Sequence, residues 1–153
     1  MVDWGSNVGF DLRRFAADEI PMKLSKGLRD NRRSTMPEML FQTFLETDAD
    51  FLANQSCNAG TTATVLLWDN QTSIGYIANV GDTRAVLCRG ARAVDLTEDK
   101  KASNPREIAR IARDGGFVIN GRVMGSLAVS RALGDLHLKV DSDDEGAGTK
   151  YGG

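Results

Sequence analysis

Histidine, cysteine and long apolar runs are what this 153-residue chain has least of, and each shortage removes a class of function. One histidine (His137) and two cysteines (Cys57 and Cys88) cannot assemble the nitrogen and sulfur ligand set of a zinc site. His137 has no nucleophile beside it at a motif position, so no Ser-His-Asp or Cys-His arrangement is available. Two cysteines suit a reducing compartment, and Cys88, within a predicted strand, is expected to be a small core residue. No apolar run approaches the ~18 residues of a membrane span, and MVDWGSNVGF has neither region of a secretion signal. A net charge of −2 offers no basic excess for nucleic acid. The expectation is a cytoplasmic or nuclear protein whose partners include neither nucleic acid nor membrane.

What is present is an ordinary globular composition, 41% hydrophobic and 26% charged, at the length of one domain. Leu12, Phe15, Ala16 and Ile20 recur at helical spacing and predict a helix from Asp11 to about Leu24, ended or kinked by Pro21. The basic segment Lys23 to Arg33 reads as a linker or an exposed helix end. Thr35-Met36-Pro37-Glu38 is a capping box with proline in the first turn. The helix it opens carries Met36, Met39, Leu40, Phe44, Leu45, Phe51 and Leu52 on one face and runs to about Ala53. Asp48 and Asp50 within it are expected to face solvent.

From Gly60 the pattern changes to short runs of β-branched and apolar residues. Thr62 to Trp68, Ser73 to Val80, Arg84 to Cys88 and Ala91 to Leu96 read as four strands of one antiparallel meander. Its turns fall at Asp69-Asn70, Gly81-Asp82 and Arg89-Gly90, and the two N-terminal helices can cover one of its faces. Asn104-Pro105-Arg106-Glu107 starts a third helix, with Ile108, Ile111 and Ala112 as its buried stripe and Gly115-Gly116 as its end. Asn120-Gly121 marks a further hairpin. Residues 1–139 form the folded unit on this reading, and residues 140–153, acidic and rich in glycine, a disordered tail.

Only carboxylates remain as a chemical repertoire. Hard divalent ions take oxygen ligands, and a two-metal site needs several aspartates converging from loop ends. Asp82 follows Gly81 between two strands, and Asp135 follows Gly134 after a short helix-like turn. Each Gly-Asp step can place a carboxylate at the edge of an element, or can simply be an Asx-type turn. The residues alone leave both readings open.

Four strings decide more. GTTATVLLW (Gly60 to Trp68), IANVGDTRAVLCRG (Ile77 to Gly90), LTEDKKASNPREIARIARDGGFV (Leu96 to Val118) and GRVMGSLAVSRALGD (Gly121 to Asp135) resemble the middle blocks of the PP2C (PPM) protein phosphatases. They stand in that family's order and spacing. The resemblance implies an α+β fold, an α-β-β-α sandwich of antiparallel sheets flanked by helices and incomplete here at both ends. It implies hydrolysis of phosphoserine and phosphothreonine in a phosphoprotein substrate, with Mg²⁺ or Mn²⁺ as cofactor. Asp135 matches the aspartate of the Leu-Gly-Asp block, beside Gly134, and is the metal-binding candidate. Asp3, in Val2-Asp3-Trp4-Gly5-Ser6, stands where the family has the bridging aspartate of Asp-Gly-His-Gly-Gly, with Trp4 in place of glycine and no histidine. Gly81, Asp82 and Arg84 match a Gly-Asp-Ser-Arg block with a structural role, and Ser130 and Arg131 a block that shapes the floor beside the site.

Three readings follow. The chain is a phosphatase, or part of a longer one. It is a pseudophosphatase, retained as a protein-binding module. Or it is a truncated product with exposed sheet edges, prone to self-association.

Overall fold

Asp11 caps the first helix by accepting a hydrogen bond from the Arg13 amide at 3.1 Å, and α1 (Leu12–Arg29) follows. The structure is a computed structural model that describes residues 11–30, 34–54 and 59–139. The helix outruns the sequence expectation and continues past Pro21, which does not end it. The reason is packing: Leu12, Ala16, Ile20 and Leu24, each one turn apart, are all buried, and Gly27 extends that line against Met39. That continuous stripe outweighs the one backbone hydrogen bond a proline removes. Lys23 to Arg29 are therefore helix rather than linker, and residues 31–33 lie outside the described residues. Lys23 bridges Glu19 at 3.1 Å and Asp50 of the second helix, so it joins two helices instead of standing free in solvent.

The second helix, α2 (Met36–Asn54), begins with the expected reciprocal cap: the Thr35 amide donates to Glu38 Oε2 at 2.8 Å, and the Glu38 amide to Thr35 Oγ1 at 3.5 Å. Its buried residues Met39, Leu40 and Phe51 meet the α1 stripe and Leu133 in one core. Phe15 and Phe51 pack with ring centroids 5.9 Å apart, tilted by 54°.

Among the described residues the strands come as four two-stranded antiparallel ladders, not as one four-stranded meander. β2 (Ala63–Asp69) pairs with β3 (Ile74–Val80), and β4 (Val86–Arg89) with β5 (Arg92–Asp95). The break falls at Gly81–Ala85, where the chain leaves the β3 ladder without hydrogen-bonding back to it as a strand. β6 (Val118–Ile119) and β7 (Arg122–Val123) flank Asn120-Gly121 as expected, both of these turn residues at positive φ. β1 (Gly60–Thr61) pairs with β8 (Leu133–Gly134), 74 residues further along for Gly60 and Gly134.

Ala63, Val65, Tyr76, Ala78 and Val80 of the β2–β3 ladder pack against the helical core. The opposite face carries Leu66 and Trp68, 64% and 56% exposed. Ile74 shares the register face of Tyr76 and Ala78 but is exposed, because it pairs with Asp69 at the open end of the ladder. Cys88 is exposed rather than a core residue, since among the described residues β4 pairs only with β5 and no residue of β4 is buried. In α3 (Pro105–Arg113), Asn104 caps as expected, accepting from the Arg106 amide at 3.0 Å. Its buried residues are Glu107 and Ile111; Ile108 and Ala112 are exposed.

Candidate functional site

The turn that presents Asp135 is built where β1 and β8 meet. Gly60 lies opposite Gly134 in that ladder, and the Asp135 amide donates to the Ala59 carbonyl at 2.9 Å. Both Gly134 (φ 78°) and Asp135 (φ 52°) take left-handed backbone conformations. A side chain at Gly134 would overlap the Ala59 carbonyl and touch Leu12, so glycine is required there by sterics as well as by φ. The segment before Asp135 is thus a strand, not the helix-like turn expected; a short 3₁₀ helix, Leu136–Leu138, follows it instead.

Asp135 is 8% exposed, and its carboxylate rests against Gly60. Burial drives its pKa above the ordinary aspartate value, with Asp48 adding to the rise and His137 and Lys139 opposing it.

Asp48 corrects a second expectation. It is buried, not solvent-facing: it lies one turn after Phe44 and one before Phe51, on the stripe that enters the core. Its Oδ1 accepts from the Gly134 amide at 2.6 Å, and its Oδ2 from Lys139 Nζ at 2.7 Å. Lys139 Nζ also donates to the Ala132 carbonyl at 2.9 Å, closing the segment 132–139 around Asp48.

A second buried carboxylate holds the preceding segment. Glu107 receives two bonds from Arg131, at 2.9 and 3.1 Å, and two from Arg110, at 3.3 and 3.2 Å. Burial pushes the Glu107 pKa up, but the paired Arg131 guanidinium and its neighbours outweigh that and hold it at about 2. Arg110 reaches the Ser130 carbonyl at 2.8 Å, and Ser130 donates its hydroxyl to the Lys100 carbonyl at 2.8 Å. Ser130 and Arg131 therefore tie α3 to the chain leading into Asp135.

The Gly81 motif joins the same framework through its backbone. The Lys100 amide donates to the Gly81 carbonyl at 2.9 Å, and the Ser130 amide to the Lys100 carbonyl at 2.8 Å. Gly81 (φ 87°) has no room for a side chain, which would overlap Thr62 and approach the Arg131 carbonyl. Arg84 forms a bidentate pair with Asp99, at 3.0 and 2.7 Å, which lowers the Asp99 pKa. Asp82 is exposed and is not drawn into these contacts. Asp3 lies outside the described residues, as does the acidic run of residues 140–153.

A buried carboxylate raised in pKa, with no hydrogen-bond donor to it among the described residues, suits one contact to a hard cation. A two-ion centre needs more: among the described residues no group of three or more His, Cys, Asp or Glu converges. Asp48, the nearest other carboxylate in charge terms, is occupied by Gly134 and Lys139. The described residues fit a single oxygen ligand, not a complete binuclear site.

The family model described as "Protein phosphatase 2C" matches residues 4–148. The chain belongs to the protein phosphatase 2C family. It is 54% identical over 84 residues to "Probable protein phosphatase 2C 2" of Paramecium tetraurelia, covering 55% of this chain and 27% of that protein. It is 40% identical over 113 residues to "Probable protein phosphatase 2C 57" of Oryza sativa subsp. japonica, covering 71% of this chain and 30% of that protein. Among solved structures, "Structure of a C.elegans sex determining protein" superposes with a TM-score of 0.73 at 25% identity, over 81% of this chain and 32% of that one. "Crystal structure of a phosphatase from a pathogenic strain Toxoplasma gondii" gives 0.59 at 19% identity, over 83% of this chain and 53% of that one, and supports the fold alone. The chain thus spans under a third of the length of these two curated relatives. Its mixed α+β architecture of helices and antiparallel ladders is a partial protein phosphatase 2C fold. No helix among the described residues is long and apolar enough to cross a membrane.

The residues that sequence reasoning missed are Asp48, Gly60, Glu107 and Lys139. Two left a signal: Asp48 falls on the apolar spacing of α2, and Glu107 sits one turn before Ile111 and Arg110-side contacts. Lys139 and Gly60 left none, because their partners are 91 and 74 or more residues away in the ladder and ion pair that the fold creates.

Proposed function

We propose that this chain forms the Asp135 side of a phosphatase centre that hydrolyses phosphoserine and phosphothreonine in proteins with Mg²⁺ or Mn²⁺. The observation that carries the reading is the Asp135 carboxylate, buried beside Gly60 with its pKa raised and no donor bound to it among the described residues. A divalent ion, when bound, would supply an activated water and neutralise phosphate charge. The chain's own part is structural: Gly134 turns the backbone, Asp48 and Lys139 hold the turn, and Glu107 with Arg131 fixes the strand that leads to it. Asp3 is proposed as a further ligand on the family motif alone. Residues 1–139 are proposed as the phosphatase-like unit, with a cytoplasmic or nuclear phosphoprotein as partner.

A pseudophosphatase that binds protein partners is the second reading. It is favoured by Trp4 and Gly5, which stand where the family motif has glycine and histidine, and by the lack of a converging ligand group among the described residues. One experiment separates the two. Mn²⁺-dependent hydrolysis of p-nitrophenyl phosphate and of a phosphothreonine peptide is measured with the purified chain and with Asp135→Asn. Turnover that the variant lowers supports the phosphatase; a folded chain with no turnover supports the binding module.

A further inference from the structure

We infer that Asp48 is the positioning residue for Asp135: a carboxylate in α2 that fixes, through the backbone, the direction in which a second carboxylate points. The inference rests on the reading of Asp135 as the metal-facing group, and its test is built to fail separately from that reading.

Asp135 has no side-chain hydrogen bond of its own among the described residues, so nothing in its side chain fixes its direction. Its backbone does. Gly134 and Asp135 both sit at positive φ, a conformation that costs energy for Asp135 unless its surroundings over-determine it. Three contacts supply that. The Asp135 amide is bound to Ala59, the Gly134 amide to Asp48 Oδ1, and Lys139, on the far side of the turn, to Asp48 Oδ2. Asp48 thus grips the turn before and after Asp135 with its two oxygens.

The grip is firm because α2 is firm. Thr47, beside Asp48, is fully buried and donates its hydroxyl to the Thr43 carbonyl at 2.7 Å, and Phe51, one turn on, is 1% exposed. Asp48 also stays available for this role because its negative charge is balanced by Lys139 rather than left to repel Asp135 unopposed. Hydrogen bonds to a charged acceptor are about twice as strong as neutral ones, which suits a residue that must hold a strained turn.

The test uses the isotope-labelled 153-residue chain, wild type, Asp48→Asn and Asp48→Ala. Two readouts are taken by NMR: native-state amide exchange, and the three-bond couplings that report the Asp135 side-chain rotamer. In Asp48→Ala the Gly134 amide is expected to exchange about tenfold faster or more relative to β2–β3 amides, and the Asp135 couplings to average. Asp48→Asn keeps an acceptor oxygen, so it should restore Gly134 protection and most of the rotamer preference. Should Asp48→Ala not fold, Lys139→Met takes its place, because it releases the far side of the turn from Asp48 Oδ2: averaged Asp135 couplings would support the inference, and unchanged ones would overturn it. Protection lost evenly over all amides, with unchanged Asp135 couplings, would overturn the inference: Asp48 would then be structural only. Added Mn²⁺ separates the two claims. Wild-type Asp135 resonances that do not broaden with Mn²⁺ sink the metal reading, while averaged couplings in Asp48→Ala still uphold the positioning role.

Discussion

Gly60 and the carboxylate of Asp135 share one space: a methyl group on Gly60 would overlap the Asp135 carboxyl oxygens. The two residues come from opposite ends of the ladder region and are brought together by the pairing of β1 with β8. Gly60 does not take a positive φ, so the requirement for glycine there is steric, imposed by the side chain it faces.

Gly60→Ala should therefore displace Asp135 without straining its own backbone. We expect a loss of ~1–3 kcal/mol in unfolding free energy, the usual range for overpacking. Any Mn²⁺-dependent turnover should fall as far as it does in Asp135→Asn. The check is urea denaturation beside the phosphatase assay. Wild-type turnover in Gly60→Ala would mean that the carboxylate can leave its place against Gly60 at no cost to function.

Glu107 gives the chain a pH dependence with a definite sign. Its folded-state pKa of about 2 lies below the ordinary glutamate value of 4.5, so the ionised form is the one the fold stabilises. The contribution is fully present above about pH 4.5 and is lost as pH falls towards 2. Its size is on the order of 3 kcal/mol at neutral pH. Glu107→Gln should lower stability at pH 7 and flatten the stability profile between pH 5 and about 2.5. Urea midpoints measured across that range decide it. A variant whose profile parallels the wild type would mean that other carboxylates carry the acid sensitivity.

Much of this fold was legible in local sequence signals, and the site much less so. The caps at Thr35 and Asn104, the Asn120-Gly121 hairpin and the strands of the β2–β3 ladder follow from short-range chemistry that the sequence displays. Gly134-Asp135 was recognisable as a motif, yet the strand pairing that shapes it joins residues more than 70 apart. The sequence places Asp48 in solvent because a charged residue on a helix is ordinarily solvated. Its burial depends on Gly134 and Lys139, 86 and 91 residues further along the chain, and no local pattern announces such partners. That Pro21 does not end α1 has the opposite reason: its local cost is visible in the sequence, while the core stripe that offsets it is tertiary.

The two arginines of the matched motifs should differ sharply when removed. Arg84 is about half exposed and pairs with Asp99 near the surface, whereas Arg131 pairs with the buried Glu107. Arg84→Ala is expected to cost under ~1 kcal/mol, and less still in high salt. Arg131→Ala leaves Glu107 with only Arg110 and should cost ~2–4 kcal/mol. Chemical denaturation at low and high salt compares them. Equal losses would show that the Glu107 pair contributes no more than a surface bridge.

The far face of the β2–β3 ladder should make the chain associate with itself. Leu66 and Trp68 stand on that face, 64% and 56% exposed, and each has its cross-strand neighbour, Ile77 or Gly75, beside it rather than a covering layer. A contiguous apolar face of this kind is unusual on a soluble monomer, and a two-stranded ladder adds unpaired backbone edges to it. Sedimentation velocity should show a weight-average mass that rises with protein concentration. Leu66→Lys with Trp68→Glu should restore a monomer while leaving the core-facing residues Val65, Tyr76 and Ala78 intact, so the urea midpoint should change little. A wild-type chain that sediments as a compact monomer at every concentration would rule out self-association through this face.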